Sequence, residues 1–422
     1  MKFQKVKGTR DFLPDEMVRR NYVLNTIIKT FENWGYQPFD TPIIETLKLL
    51  AAKGGGGEEI KKEIYYFKDQ GGRELGLRYD LTTSTARVIA ENLNLLKPFK
   101  RYQIGKVYRY DEPQSNRYRE FLQADADIFG CDNLLADAEI IALTCNIFEK
   151  LGFDDFIIRL NNRCIIEDFV KGLGIKECLM VFRAVDKLEK IGVNGVKEEL
   201  KKMKIGEDKI KKIIKFIKQK GGNEILDKSE QLKGTKELKQ ILELIKLFGY
   251  EKNVLIDFSL VRGLDYYTGS VFEVCININL SLAGGGRFDK LIETFGGKPT
   301  TAVGIGLGFE RIVEIMKQRN MFDLPKTKID AFVAPVNENL IKQSIDICNK
   351  LRKSNINCDM DMMNRKLSKQ LEYASSINIP YVIIVGKKDL EQGKVTIRDM
   401  KTGNERTVSK EDVNKYIDIN FN

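Results

Sequence analysis

The chain has 422 residues, 70 of them basic and 60 acidic, a net charge of +10, and an apolar fraction of 42%. That size carries two or three domains with a large core, and the composition excludes disordered, fibrous and disulfide-stapled classes. The chain contains no histidine, so Ser-His-Asp and Cys-His chemistry are excluded and no imidazole can ligate zinc.

No apolar stretch approaches the length of a membrane span, and Met1-Lys2-Phe3-Gln4-Lys5 does not open like a signal peptide. A cytoplasmic protein with no membrane partner is expected. The seven cysteines form no CxxC pair, which suggests buried thiols and no metal site.

Taken in chain order, residues 1–170 read as mixed α/β. Glu16 to Trp34 has helical spacing through Val18, Tyr22, Leu24, Ile27, Ile28 and Phe31, and Gly35 stops it. Gly54–Gly57 and Gly71–Gly72 mark surface loops; no Lys-Ser/Thr follows them, so neither is a phosphate-binding P-loop. Leu77-Arg78-Tyr79-Asp80-Leu81-Thr82 reads as a strand with Asp80 and Thr82 on one face. Tyr102 to Pro113 and Arg117 to Asp127 read as the two arms of a long antiparallel hairpin. On its second arm Gln123, Asp125 and Asp127 recur at period two and share a face. Arg109 stands where the first arm enters the loop. Such an arginine beside amide and carboxylate groups suits a phosphate next to an amino acid, although a cross-strand ion-pair ladder has the same look.

Residues 171–250 read as an inserted helical domain. Ile210, Ile213, Ile214 and Ile217 follow a helical stripe, and the segment holds 20 Lys/Arg against 12 Asp/Glu. It is either a solvated helix surface or an RNA-contacting one.

Strands return near residue 251. Val254 to Ile256 and Val271 to Glu273 flank the loop Arg262-Gly263-Leu264-Asp265-Tyr266-Tyr267-Thr268-Gly269. An arginine fork suits phosphate or carboxylate, the tyrosines offer hydroxyls on apolar rings, and glycine allows close backbone approach. A strand-loop corner with core tyrosines is the plainer reading. Ala283-Gly284-Gly285-Gly286-Arg287-Phe288-Asp289 follows. In Thr301 to Arg311, Gly304, Gly306 and Gly308 recur every second residue. That spacing clears one strand face for a flat ligand, with tight packing as the other explanation. Leu324-Pro325-Lys326-Thr327 reads as a linker. Beyond it, strand-helix alternation from Ile329 to Val385 and a hairpin over Lys394–Ser409 predict a small α/β domain with a largely parallel sheet.

Several of these segments, in this order, resemble histidyl-tRNA synthetases. Tyr36 to Pro42 is similar to motif 1 of the class II aminoacyl-tRNA synthetases, the 102–127 hairpin to motif 2, and Thr301–Arg311 to motif 3. Arg262–Gly269, Leu77–Thr82, Ala283–Asp289 and Lys7-Gly8-Thr9-Arg10-Asp11 resemble histidyl-type signatures, and Tyr381–Gly386 resembles the anticodon-binding region. The resemblance implies an α/β fold of the α+β class II type: an antiparallel sheet flanked by helices (1–170 with 251–325), a helical insertion (171–250) and an anticodon-binding domain (326–422). It implies a homodimeric histidine–tRNA ligase that uses ATP and Mg2+ to make histidyl-adenylate and passes the acyl group to tRNA(His). Asp80, Leu81, Thr82, Gln123, Asp127, Tyr266 and Tyr267 would hold L-histidine, with Asp127 and Tyr267 at the imidazole. Arg109, Arg117, Arg262 and Arg311 would hold ATP, and Arg109 and Arg262 would be catalytic. Asp80 and Asp127 are often glutamate in the family, and Phe288 is often tyrosine. The alternatives are the regulatory subunit of ATP phosphoribosyltransferase, which shares the core and senses histidine, and a synthetase for proline or threonine.

Overall fold

The sheet that carries the site grows around the long hairpin. Strands Phe99–Tyr108 and Glu120–Phe129 pair without a break from Phe99↔Phe129 to Tyr108↔Glu120. Between the two arms, residues 111 and 113–117 fall outside what the computed structural model describes. Described are residues 3–52, 62–110, 112, 118–261, 266–276 and 280–417. The glycine run at 54–57 also lies outside them.

Seven further strands extend the hairpin into a nine-stranded sheet. On one side the short strand Gln37–Pro38 runs parallel to Phe99–Tyr108. On the other, Ala302–Leu307, Leu280–Arg287, Ser270–Ile276 and Phe156–Asn162 follow in antiparallel order. Val254–Asp257 then pairs parallel to Phe156–Asn162. The core helix Leu135–Lys150 buries Ile140, Ile141, Leu143, Ile147 and Phe148.

The expected all-helical segment is helical in the main, with helices Cys178–Asp186, Leu188–Lys202, Glu207–Ile217 and Thr235–Leu247. Ile210, Ile213, Ile214 and Ile217 are buried, and Lys211, Lys212 and Lys215 are exposed. It is not purely helical, however. Lys220–Gly221 forms two residues of strand on the sheet edge, paired with Asp257 and Ile256.

A second correction concerns Leu77–Thr82. The strand Glu74–Leu77 ends on the first residue of the expected stretch, and Thr82 opens the helix Thr82–Glu91. Asp80 and Thr82 therefore do not share a strand face. The Asp80 carboxylate accepts the Thr83 amide at 2.9 Å, so it satisfies a helix-start donor that a strand would have paired in a ladder.

Chain contacts group into two units, residues 1–10 with 23–321 and residues 11–22 with 322–422. In the second, the strands run in the order Cys358–Met360, Ala331–Pro335, Tyr381–Val385, Lys394–Asp399, Glu405–Ser409. The first three are parallel and the last two antiparallel, so the sheet is mixed rather than largely parallel. The reason is the closing hairpin, whose tight turn places Gly403 at φ 77° and can join only antiparallel neighbours.

Arg287, at the end of the glycine-rich strand, turns away from ligand space. Its guanidinium grips the fully buried Asp137 of the core helix, and Ser270 donates to the same carboxylate. Removing one partner leaves a buried charge uncompensated, at a cost of about 3–5 kcal/mol. Asp137→Ala is expected to lower the midpoint of chemical denaturation by a matching amount; an unchanged midpoint would show that the pair is not structural.

Candidate active site

Registers across the sheet place a particular row of residues side by side. Gln103, Asp125, Gly306, Gly284, Glu273 and Arg159 are successive cross-strand neighbours, and Arg101, Asp127, Gly304 and Gly286 form the next row. Paired glycines on two adjacent strands are thus flanked by large polar side chains on one face. The glycines are required by space. A Cβ at Gly304 would lie 1.7 Å from Asp127 Oδ1, and one at Gly306 would lie 3.1 Å from Asp125 Oδ1. The period-two glycines of 301–311 clear the face for the carboxylates of the neighbouring strand.

Two adjoining cavities open on this floor. The smaller, of about 370 Å³, is lined by Asp80, Thr82, Gln123, Asp125, Asp127, Tyr266, Tyr267 and Gly304 among others. The larger, of about 630 Å³, is lined by Arg109, Phe121, Arg159, Glu273, Gly308 and Arg311 among others. Arg109, Gln123, Tyr266, Tyr267, Gly284 and Gly306 line both, so the two spaces meet.

Most of the site residues expected from sequence are brought together. Arg109 follows the first hairpin strand, its Nε donates to Tyr79 O at 3.1 Å, and its guanidinium stands 5.1 Å from the Phe121 ring. Gln123 Nε2 donates to Asp125 at 3.2 Å, while its Oε1 is buried with no hydrogen-bond partner among the described residues. Tyr266 and Tyr267 pack with ring centres 4.3 Å apart. Burial pushes the Tyr266 phenol well above its ordinary value. A hydrogen bond from Tyr267 opposes that shift, and Asp80, Asp125 and Asp127 add to it. Tyr266 therefore stays a neutral hydroxyl. Arg311, in the helix Phe309–Gln318, donates to Ser281 O at 2.9 Å.

One expectation fails. Leu81 is fully buried and lines neither cavity, because the turn into the helix after Asp80 points its side chain into the core. Arg117 and Arg262 lie outside the described residues.

The structure also adds residues. Arg159 is buried at the floor of the larger cavity and bonds Asp257 at 2.7 Å, with Glu273 at 3.5 Å. Burial drives the Asp257 carboxyl up, but Arg159, Lys220 and Ser259 outweigh it and hold the group below its ordinary value. A sequence signal existed: Arg159 and Glu273 are lone charges inside the apolar runs Phe156–Asn162 and Ser270–Ile276. The opening segment also reaches the site. Arg10 pairs with Glu310 and lies 3.5 Å over the Tyr118 ring, while Glu310 accepts the Leu122 amide.

No group of three or more His, Cys, Asp or Glu side chains among the described residues is disposed to hold a metal ion. In the larger cavity Glu273 and Glu310 are already engaged by Arg159 and Arg10.

A family model described as histidyl-tRNA synthetase matches residues 8–312, and one described as an anticodon binding domain matches 330–419. The chain is 40% identical to a histidine–tRNA ligase of Thermococcus kodakarensis and 38% identical to one of Clostridium tetani, with 97% of each chain covered in both cases. A crystal structure of histidyl-tRNA synthetase from Nostoc sp. PCC 7120 superposes with a TM-score of 0.88 at 31% identity, covering 98% of both chains. The fold is also that of an ATP phosphoribosyltransferase regulatory subunit/histidyl-tRNA synthetase from Bacillus halodurans, with a TM-score of 0.74 at 22% identity over 86% of this chain and 93% of that one. A sheet floor carrying these motifs in this order, matched along nearly its whole length, places the chain in the histidyl-tRNA synthetase family.

Proposed function

We propose that the chain joins L-histidine to tRNA(His) in two steps, with the smaller cavity holding the amino acid and the larger one ATP. The observation that carries this reading is the junction of two spaces with different linings. Asp80, Asp125 and Asp127 line the smaller cavity, while the larger carries Arg109, Arg159 and Arg311 among Asp186, Glu189, Glu273 and Glu310, with Glu189 and Glu273 paired to Arg159 and Glu310 to Arg10. A cationic ammonium suits the first, and Arg109 and Arg311 offer the second its groups for a phosphate and a purine ring. Asp80, Thr82 and Gln123 would take the ammonium and backbone end of histidine. Asp127 and Tyr267 would take its two ring nitrogens, one donor and one acceptor. A site built to bond both rejects analogues that lack them, because its own buried groups would go unmatched.

Arg109 stands on the border, where the carboxylate of one ligand meets the α-phosphate of the other. Holding the two within reach replaces a bimolecular encounter by a positioned one. Arg262 would act on the same phosphate as charge builds during displacement, and Arg117 would meet the outer phosphates. Arg311 would stack on adenine. Magnesium would enter as the counter-ion of the ATP phosphates. With no histidine in the chain, the proton released by the tRNA ribose passes to another acceptor, for which a phosphate oxygen of the adenylate is available.

The regulatory-subunit alternative is less well supported, since residues 330–419 match an anticodon-binding domain. A homodimer is proposed through the motif 1 region. Ile43 and Ile44 beside it are 43% and 49% exposed, and Tyr66 on the same three-stranded sheet is 64% exposed. Clustered apolar surface of this kind marks an interface.

Amino-acid-dependent ATP–pyrophosphate exchange tests the reading. Histidine is expected to stimulate exchange and proline is not; the reverse would overturn the substrate assignment. Arg262→Ala is expected to fold normally and lose roughly 10²- to 10³-fold in exchange rate, the usual worth of one preorganised charge contact. Near-normal turnover would remove its role. Gly304→Ala is expected to raise the KM for histidine with little change for ATP, since the added methyl displaces Asp127; equal KM values in parent and variant would contradict the assigned cavity. Ile44→Glu should convert dimer to monomer in sedimentation velocity, and an unchanged mass would place the interface elsewhere.

A further inference from the structure

Arg101 is absent from both cavity walls, yet it bears on the smaller one. It faces Asp127 directly across the hairpin, and its side chain is fully buried. Its guanidinium pairs with Asp127 Oδ2. None of its three nitrogens forms a hydrogen bond among the described residues, so the contact with Oδ2 is an ion pair, and the Phe39 ring lies 5.7 Å away. The other oxygen, Oδ1, points to the space left by Gly304, on the cavity side of the strand. The carboxylate is thus divided: one oxygen is held from behind by a cation, and one is presented to the ligand.

A pair of this kind is a poor device for stability. A fully buried guanidinium with none of its nitrogens hydrogen-bonded among the described residues is costly, and an apolar pair of similar volume is commonly as stable or more so. Its effect on the site is more definite. Arginine is a permanent cation, so Asp127 has a full positive charge beside its Oδ2. Aspartate is also short. With Oδ2 tethered, the side chain cannot rotate to offer both oxygens or to retreat from the cavity.

We infer that Arg101 is a positioning residue for the amino-acid pocket: it holds Asp127 as an oriented acceptor for a ring N–H and so sets the selection of an imidazole ligand. This rests on the reading above that Asp127 meets the substrate ring. It accounts for a buried cation that the proposed reaction otherwise leaves without use.

The test is steady-state ATP–pyrophosphate exchange with Arg101→Leu, which matches the apolar surroundings, and Arg101→Lys, which keeps the charge. In Arg101→Leu the KM for histidine is expected to rise roughly 10- to 100-fold, the loss of one charge-assisted contact, while the KM for ATP stays near that of the parent. Arg101→Lys is expected to recover a large part of the loss. In an Asp127→Asn background, adding Arg101→Leu should change the KM for histidine by no more than about twofold, because the two residues act as one unit. An unchanged histidine KM, a parallel rise in both KM values, or a lysine variant no better than leucine would each overturn the inference. If Arg101→Leu does not fold, Arg101→Lys decides the matter: a selective rise in histidine KM supports the inference and an unchanged one removes it. Absence of histidine-dependent exchange in the parent chain would instead refute the functional reading on which the inference rests.

Discussion

The site depends on an exchange of volume between neighbouring strands. Carboxylates on Glu120–Phe129 take up the space that Ala302–Leu307 gives up by carrying glycine. With a Cβ at Gly304 the Asp127 carboxylate would have no place, because the separation would be 1.7 Å. Sheet register makes the exchange specific, since a one-residue slip would set Ala126 and Ile305, rather than Asp127 and Gly304, on this face. The adjacent strand extends the clearing with Gly284 and Gly286. A Cβ at Gly286 would meet Ser270 O at 2.4 Å and the Tyr267 ring at 3.1 Å, so the same device seats the tyrosine over the floor. Four strands are thereby tied to the shape of one small cavity.

Electrostatics distinguish the two ends of what packing has opened. Carboxylates line the smaller end of the floor, and at the larger end guanidinium groups stand among carboxylates that pair with them, with Arg109 and Gln123 on the border. Groups fixed in this way orient a ligand pair without reorganisation. The absence of histidine from the chain has a chemical consequence here. Under the proposed function the only imidazole in the filled site would be that of the substrate, since the chain supplies none.

Much of this was legible in the sequence, and the limits are instructive. The hairpin, the period-two glycines and the tyrosine loop announced themselves because strand periodicity assigns side chains to faces without knowledge of the fold. The isoleucine stripe of 210–217 was legible for the same reason at helical period. Leu77–Thr82 was misread because its short apolar run suited a strand, whereas the Asp80 cap that starts the helix depends on one side-chain hydrogen bond. Leu81 went wrong with it. Arg159 and Glu273 left a signal as charges inside apolar strands, but their pairing depends on which strands become neighbours. Arg101 was invisible in this sense: its partner lies 26 positions away in the chain and is set by the hairpin register.

The buried arginines point to one logic for the whole sheet. Arg101 faces Asp127, Arg287 grips Asp137, and Arg159 holds Asp257 with Glu273 nearby. Each joins different secondary-structure elements, and each lies at or beneath the ligand floor. A buried ion pair adds little net stability, yet losing half of one is expensive. Such pairs therefore penalise misregistered sheets more than they stabilise the correct one, since any slip separates a charge from its partner. The floor must be exact to within a fraction of a side chain for the two cavities to meet at Arg109. A fold held in register by paired charges gains that exactness, and it sets Asp127 with Oδ2 toward Arg101 and Oδ1 toward the space that Gly304 leaves.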